Sequence, residues 1–139
     1  MTTPTWEGGC LCGEVRYRIS GTPRALSLCH CRTCRRAAGA PSVAWVVLNA
    51  TDLVILQGMP SVFRSSPDVL RTFCGRCGTS LTYQRESQLA SIDITTASLD
   101  EPDTFPPERE IWLSHKIDWE RDNDSLRQYD ESSKGSASS

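Results

Sequence analysis

The sequence predicts a mainly β, single-domain fold with one short helix. Three observations carry this. Short runs rich in β-branched and aromatic residues recur between Gly, Pro and Asn breaks. One stretch alone carries both a helix pattern and a stop signal. All seven cysteines fall in three tight clusters, Cys10-Leu-Cys12, Cys29-His-Cys31-Arg-Thr-Cys34 and Cys74-Gly-Arg-Cys77. At that spacing, thiolates converge on one small cation and can staple a small fold. A chain of 139 residues supports one core and not two.

Taken in order, residues 14–19 alternate polar and apolar, as a half-buried strand does. Residues 32–38 form the helix, with Gly39 placed to end it. Residues 43–48 are β-branched and aromatic, so they read as a central, well-buried strand. This is also the longest apolar run, and six residues are far too few to span a membrane. Residues 52–57 follow an Asn-Ala-Thr turn, and Gly58-Met59-Pro60 breaks the chain again. Strands over 61–64, 69–73, 80–83, 91–95 and 110–113 complete an antiparallel set. The domain is expected over 1–130, and the Ser-rich segment 131–139 is expected to be a disordered tail.

Clustered cysteine reads either as a disulfide framework or as metal binding. The count is odd, which would leave one thiol unpaired. Residues 1–7 have no basic start and no apolar stretch, so the expectation is a cytoplasmic protein with reduced thiols. Metal binding is the stronger reading. Zinc is favoured over an iron–sulfur cluster because one site offers three thiolates in a short loop, without a run of four. Cys12 and Cys77 are each followed by glycine, at strand edges, as in paired zinc knuckles. Cys10, Cys12, Cys74 and Cys77 thus form a closed structural set. Cys29, Cys31 and Cys34 lead into the helix N-terminus, which favours thiolates, and leave a fourth position for water, a side chain or a substrate thiol. Two Zn²⁺ per chain are expected, one structural and one catalytic.

Other residues invite roles. His30 sits between two cysteines that share an ion, so a supporting or substrate-facing place suits it better than ligation. His115 reads as hydrogen-bonded or solvated. Trp45, Trp112 and Trp119 read as core or cavity wall. Six arginines against one acid between Cys10 and Arg36 make that third basic, with Arg16 and Arg18 on the wet face of a strand. Eleven acids against five basic residues follow from Asp100 onward. That balance, with a pI near 5.7, argues against a nucleic-acid partner. Non-enzymatic zinc binding to a partner remains the alternative to catalysis.

Residues 8–13, the run Cys29 to Arg36 and residues 73–78, with the later stretch 111–119, resemble the glutathione-dependent formaldehyde-activating enzyme family, whose domain centromere protein V shares. The resemblance covers about residues 5–130. It implies a β-tent-like fold of small antiparallel sheets, structural zinc on Cys10, Cys12, Cys74 and Cys77, and catalytic zinc on Cys29, Cys31 and Cys34. It also implies a carbon–sulfur lyase joining glutathione to formaldehyde or another aldehyde. On that reading His30 or a helix arginine would serve the developing alkoxide, and Arg32, Arg35 and Arg36 would meet the glutathione carboxylates.

Overall fold

Eleven strands and one α-helix form within residues 3–121 and 123–134, the part of the chain that this computed structural model describes. Three strands, β1 (Thr5–Gly9), β2 (Arg16–Ser20) and β5 (Leu53–Gln57), make an antiparallel sheet in the order β1-β2-β5. The other sheet has eight strands. They are β3 (Ala25–Cys29), β4 (Val43–Asn49), β6 (Ser61–Ser66), β7 (Val69–Phe73), β8 (Ser80–Arg85), β9 (Ser91–Thr95), β10 (Arg109–Ile111) and β11 (Arg127–Gln128). Their order across the sheet is β11-β10-β3-β4-β9-β8-β7-β6. The helix, α1 (Arg32–Ala38), ends at Gly39 in the left-handed conformation (φ 63°), as expected of a C-terminal glycine. No helix among the described residues is long and apolar enough to cross a membrane.

The mainly β expectation holds, and β4 is central in the larger sheet. Three strands go unmarked by the pattern. β1 contains two glycines, β3 does not alternate, and β11 is two residues long. Pairing also departs from purely antiparallel at one edge, where β10 runs parallel to both β3 and β11. The long connection from β9, residues 96–108, returns the chain alongside β3 in the same direction. Of the expected tail, residues 131–134 are described, and the Trp112 N–H donates to the Glu131 carbonyl at 3.0 Å. Residues 135–139 lie outside the described residues.

Strand alternation gives the large sheet two distinct faces. Val46 and Leu48 of β4 point to one side with Ile94 of β9, and pack with Tyr17, Ile19 and Leu99 in the main core. The three-stranded sheet covers this side. Val43 and Trp45 point to the other side and pack with Cys29, Cys31, Cys34 and Trp112. Arg16 forms a two-bond pair with Asp100 (3.0 and 2.6 Å), and Arg18 reaches Glu7 at 3.5 Å, so both lie on the wet strand face.

Candidate active site

The β1–β2 turn carries Cys10 and Cys12, and the β7–β8 turn carries Cys74 and Cys77. The two turns are built alike. Gly13 N–H donates to the Cys10 carbonyl (3.1 Å), and Gly78 N–H to the Cys74 carbonyl (2.8 Å). Val15 N–H donates to Cys10 Sγ (3.2 Å), while Arg76 and Cys77 N–H both donate to Cys74 Sγ (3.4 Å each). Such turns need φ of 82° at Gly13 and 83° at Gly78, a region where any other side chain is strained. Leu11 N–H donates to Thr79 Oγ1 (3.0 Å) and ties one turn to the other.

The sulfur geometry tests the metal reading. Cys10 and Cys12 Sγ are 3.6 Å apart, and Cys12 and Cys74 Sγ 3.8 Å. Tetrahedral bonds of about 2.3 Å from zinc to sulfur place sulfurs roughly 3.8 Å apart, whereas a disulfide needs about 2.05 Å. All four sulfurs lie within 4.8 Å of one another. The quartet therefore fits a tetrahedral ion, and all seven cysteines are free thiols. Cys77 is held down to about 5, chiefly by the Thr79 hydroxyl and backbone N–H, so this set contains a ready thiolate.

The second set is a buried triad. Cys29 ends β3, Cys31 caps the N-terminus of α1, and Cys34 lies in its first turn. Their three sulfurs also lie within 4.8 Å of one another. Cys34 N–H donates to Cys31 Sγ at 3.3 Å, and Thr33 Oγ1 lies 3.4 Å from the same sulfur. Negative charge settles on Cys31, whose thiol is driven far down by bonds from Cys29 and Cys34. Cys29 is pushed well up by the same bonds and by burial. Cys34 rises to about 11: the bond from Cys29 lowers it, but Cys31 and burial outweigh that.

One partner of the triad goes unnoticed in the sequence. Arg71 of β7 is 5 % exposed. Its Nη1 donates to Cys34 Sγ (3.4 Å), its Nη2 to Thr33 Oγ1 (3.2 Å) and its Nε to Ser65 Oγ (2.8 Å), with the guanidinium 5.1 Å over the Tyr83 ring. A planar fork held at each nitrogen is a fixed positive charge beside thiolates. Its signal was present: Arg71 shares a strand face with buried Val69, and a charge at an inward position calls for a partner.

Cys31 and Cys34 open onto a cavity of about 310 Å³ on the same sheet face. Trp45 and Trp112 form its apolar wall beside the metal set, and Tyr83 packs against both the triad cluster and Trp45. Trp112 holds φ 60°, uncommon for a large side chain. Backbone N–H groups of residues 112–114 donate to carbonyls of residues 129–131 and clamp it there. Farther from the triad the wall is charged, with Arg85, Asp93, Arg109 and Lys134. Burial pushes Asp93 up to about 7, against the pull of Arg109, Lys134, Arg71 and Arg85.

Several expected residues lie elsewhere. His30 is fully buried, its Nε2 2.9 Å from Glu110 Oε1, and it does not line the cavity. Glu110 Oε2 accepts from Asn123 N–H (3.0 Å) and the Gln128 amide (3.3 Å). Burial alone would raise the Glu110 carboxyl, but these donors and His30 hold it below its ordinary value. Arg32 and Arg36 are exposed, and Arg35 Nε donates to the His30 carbonyl at 3.3 Å. None of the three lines the cavity, because α1 turns that edge outward. The arginines that do line it, Arg85 and Arg109, come from strands. His115 accepts from Arg32 N–H through Nδ1 at 3.2 Å. Trp119 is 73 % exposed and belongs to neither core nor cavity wall, since it follows the 3₁₀ turn out to the surface.

The model of the glutathione-dependent formaldehyde-activating enzyme family matches residues 5–115. The chain belongs to that family. It is 30 % identical over 122 residues to a Halomonas elongata protein named provisionally as a glutathione-dependent formaldehyde-activating enzyme, covering 81 % of this chain and 78 % of that one. It is 31 % identical over 80 residues to an uncharacterized lyase of Schizosaccharomyces pombe, 58 % of each chain. A crystal structure of a Rhodobacter sphaeroides protein shares the fold, with TM-score 0.57 and 22 % identity over 68 % of this chain and 87 % of that one. Membership in this family supports a lyase-type enzyme, and both cysteine sets are able to hold metal.

The two sets are expected to fail differently. Structural zinc contributes about 10–16 kcal/mol in small zinc peptides, against a whole-domain stability of about 5–15 kcal/mol. Cys12→Ser or Cys77→Ser should give unfolded or insoluble protein, whereas Cys34→Ser should stay folded and lose one metal. Circular dichroism with metal analysis checks this, and equal unfolding of both classes contradicts it. The His30–Glu110 pair gives a second expectation. Breaking a buried pair from one side costs about 3–5 kcal/mol, so His30→Ala and Glu110→Ala should each destabilise by that order. The double variant should lose clearly less than the sum in denaturant titrations.

Proposed function

We propose that this protein is a zinc-dependent carbon–sulfur lyase that reversibly joins a thiol of the glutathione class to formaldehyde or another small aldehyde. The observation that carries the reading is the buried triad opening onto the cavity. Three sulfurs would leave a tetrahedral ion one ligand short, and Cys31 and Cys34 line the cavity from which a further ligand could come. The family and the relatives matched above support the same chemistry.

Cys29, Cys31 and Cys34 would hold the ion. Zinc bound there supplies Lewis acidity that lowers the pKa of an incoming thiol and keeps it as thiolate at neutral pH. The remaining work belongs to the chain. The Arg71 guanidinium offsets the negative charge gathered on the thiolates. Trp45 and Trp112 exclude water from the face where sulfur meets carbon. The sulfur–carbon bond forms as the carbonyl π pair moves onto oxygen. The thiol proton leaves to solvent, and an equivalent proton returns to that oxygen, giving the hydroxyalkyl thioether with atoms balanced. Tyr83 offers the hydroxyl on this wall, held by Arg85 Nε at 3.2 Å, and we assign it to donate to the developing alkoxide.

Metal analysis with graded chelation should release two zinc ions in two phases. A cobalt-substituted protein should change its visible absorption when glutathione binds, because a fourth thiolate joins the set. Tyr83→Phe should lower the rate of adduct formation by about ten-fold or more while leaving the absorbance titration for glutathione unaltered. An unchanged cobalt spectrum with the triad shown to be loaded would instead favour a zinc module that binds a partner.

A further inference from the structure

The charged end of the cavity has a composition that a simple anion site would not need. Its wall carries three cations, Arg85, Arg109 and Lys134, and within them one carboxylate, Asp93. A carboxylate beside a bound anion repels it, and partial burial at this position raises the Asp93 carboxyl against the pull of its neighbouring cations. A ligand group bearing both signs would resolve the conflict.

Register places this end at a defined reach from the triad. Cys29 pairs with Val43, and Val47 pairs with Asp93. Four residues along β4 separate the two levels, about 13 Å of strand. Arg109 lies between, level with Ser27 and Trp45, and its Nε is anchored by Ser27 Oγ at 2.7 Å. Tyr83 is paired with Asp93 on the other side. In a γ-glutamyl-cysteinyl thiol the α-ammonium lies eight bonds, about 10 Å when extended, from the sulfur, and a metal–sulfur bond would add about 2.3 Å. A thiol of that build held at the triad would bring its α-amino-acid end to the level of Asp93, past the Trp45 wall.

Building on the thiol-adduct reading, we propose that Asp93, Arg109 and Lys134 form a subsite for an α-amino-acid head group at the far end of the thiol. The ammonium sits on the Asp93 carboxylate, and the carboxylate sits on Arg109 and Lys134. Thiol selection then rests at this end, away from the reacting carbon.

The test uses the full-length, cobalt-substituted protein, with glutathione and N-acetylglutathione as probes and metal absorption as the readout. N-acetylation removes the ammonium and leaves the thiol unchanged. The wild type should prefer glutathione by about 10- to 100-fold, the range for a charge-assisted contact. Asp93→Asn, nearly isosteric, should bind both thiols alike. A measurement without any variant runs beside it. The preference should grow as pH rises through about 7, because Asp93 must ionise while Arg109, Lys134, Arg71, Arg85 and Tyr83 face it. Using the ratio of the two thiols cancels the pH dependence of metal ligation. Binding without preference, or a preference that survives Asp93→Asn or ignores pH, overturns the subsite and leaves the thiol reading standing. No spectral change with either thiol sinks both.

Discussion

Everything else in this fold depends on the convergence of Cys10, Cys12, Cys74 and Cys77 between the two sheets. The three-stranded sheet reaches the larger one through packed side chains and through this knot. Cys12 and Cys74 are 62 positions apart in sequence, and their sulfurs lie 3.8 Å apart. Closing a loop of that length is entropically costly, and the two knuckles offset the cost at one point. They also need the backbone N–H groups that Gly13 and Gly78 release by turning left-handed, so the demand for thiolate reaches down to single φ angles.

The two cysteine sets share chemistry and differ in surroundings. In the quartet, Cys12 is exposed and Cys77 half-buried, yet four sulfurs are enough to close a tetrahedral site on their own. In the triad all three cysteines are buried, and two of them, Cys31 and Cys34, line a walled cavity. That cavity runs on to the charged side chains Arg85, Asp93, Arg109 and Lys134. That contrast follows from position: the quartet grows from turns at the ends of hairpins, the triad from a strand running into a helix beneath the sheet face.

The cysteine sets, the helix and its terminal glycine, and most strands were legible because each rests on a local signal. Spacing of one to three residues gathers thiols, glycine marks the left-handed turn, and β-branched runs mark strands. The missing part is non-local. Residues 25–29 pair with β10 from the other end of the chain, and nothing nearby in sequence declares that parallel edge. The cations were expected on α1 because it adjoins the triad in sequence. The sheet instead brings Arg109 to the cavity wall from 75 residues beyond Cys34, and Arg71 to the Cys34 sulfur from 37 residues beyond it. His30 shows the same lesson: adjacent to two ligands in sequence, it points away from them to Glu110.

Placing the cations on strands rather than on the helix has a physical consequence. An exposed helix arginine keeps most of its rotamer freedom, which it must surrender on binding an anion. Arg71 has surrendered it already, because Ser65, Thr33 and Cys34 each hold one nitrogen. Arg109 is likewise pinned by Ser27. Charges fixed in advance need no reorganisation when charge develops beside them. The same rigidity makes the spacing between triad and charged end a ruler. Four residues of a central, hydrogen-bonded strand cannot stretch, so the separation between the triad and Asp93 is set by the register of β4 against β3 and β9.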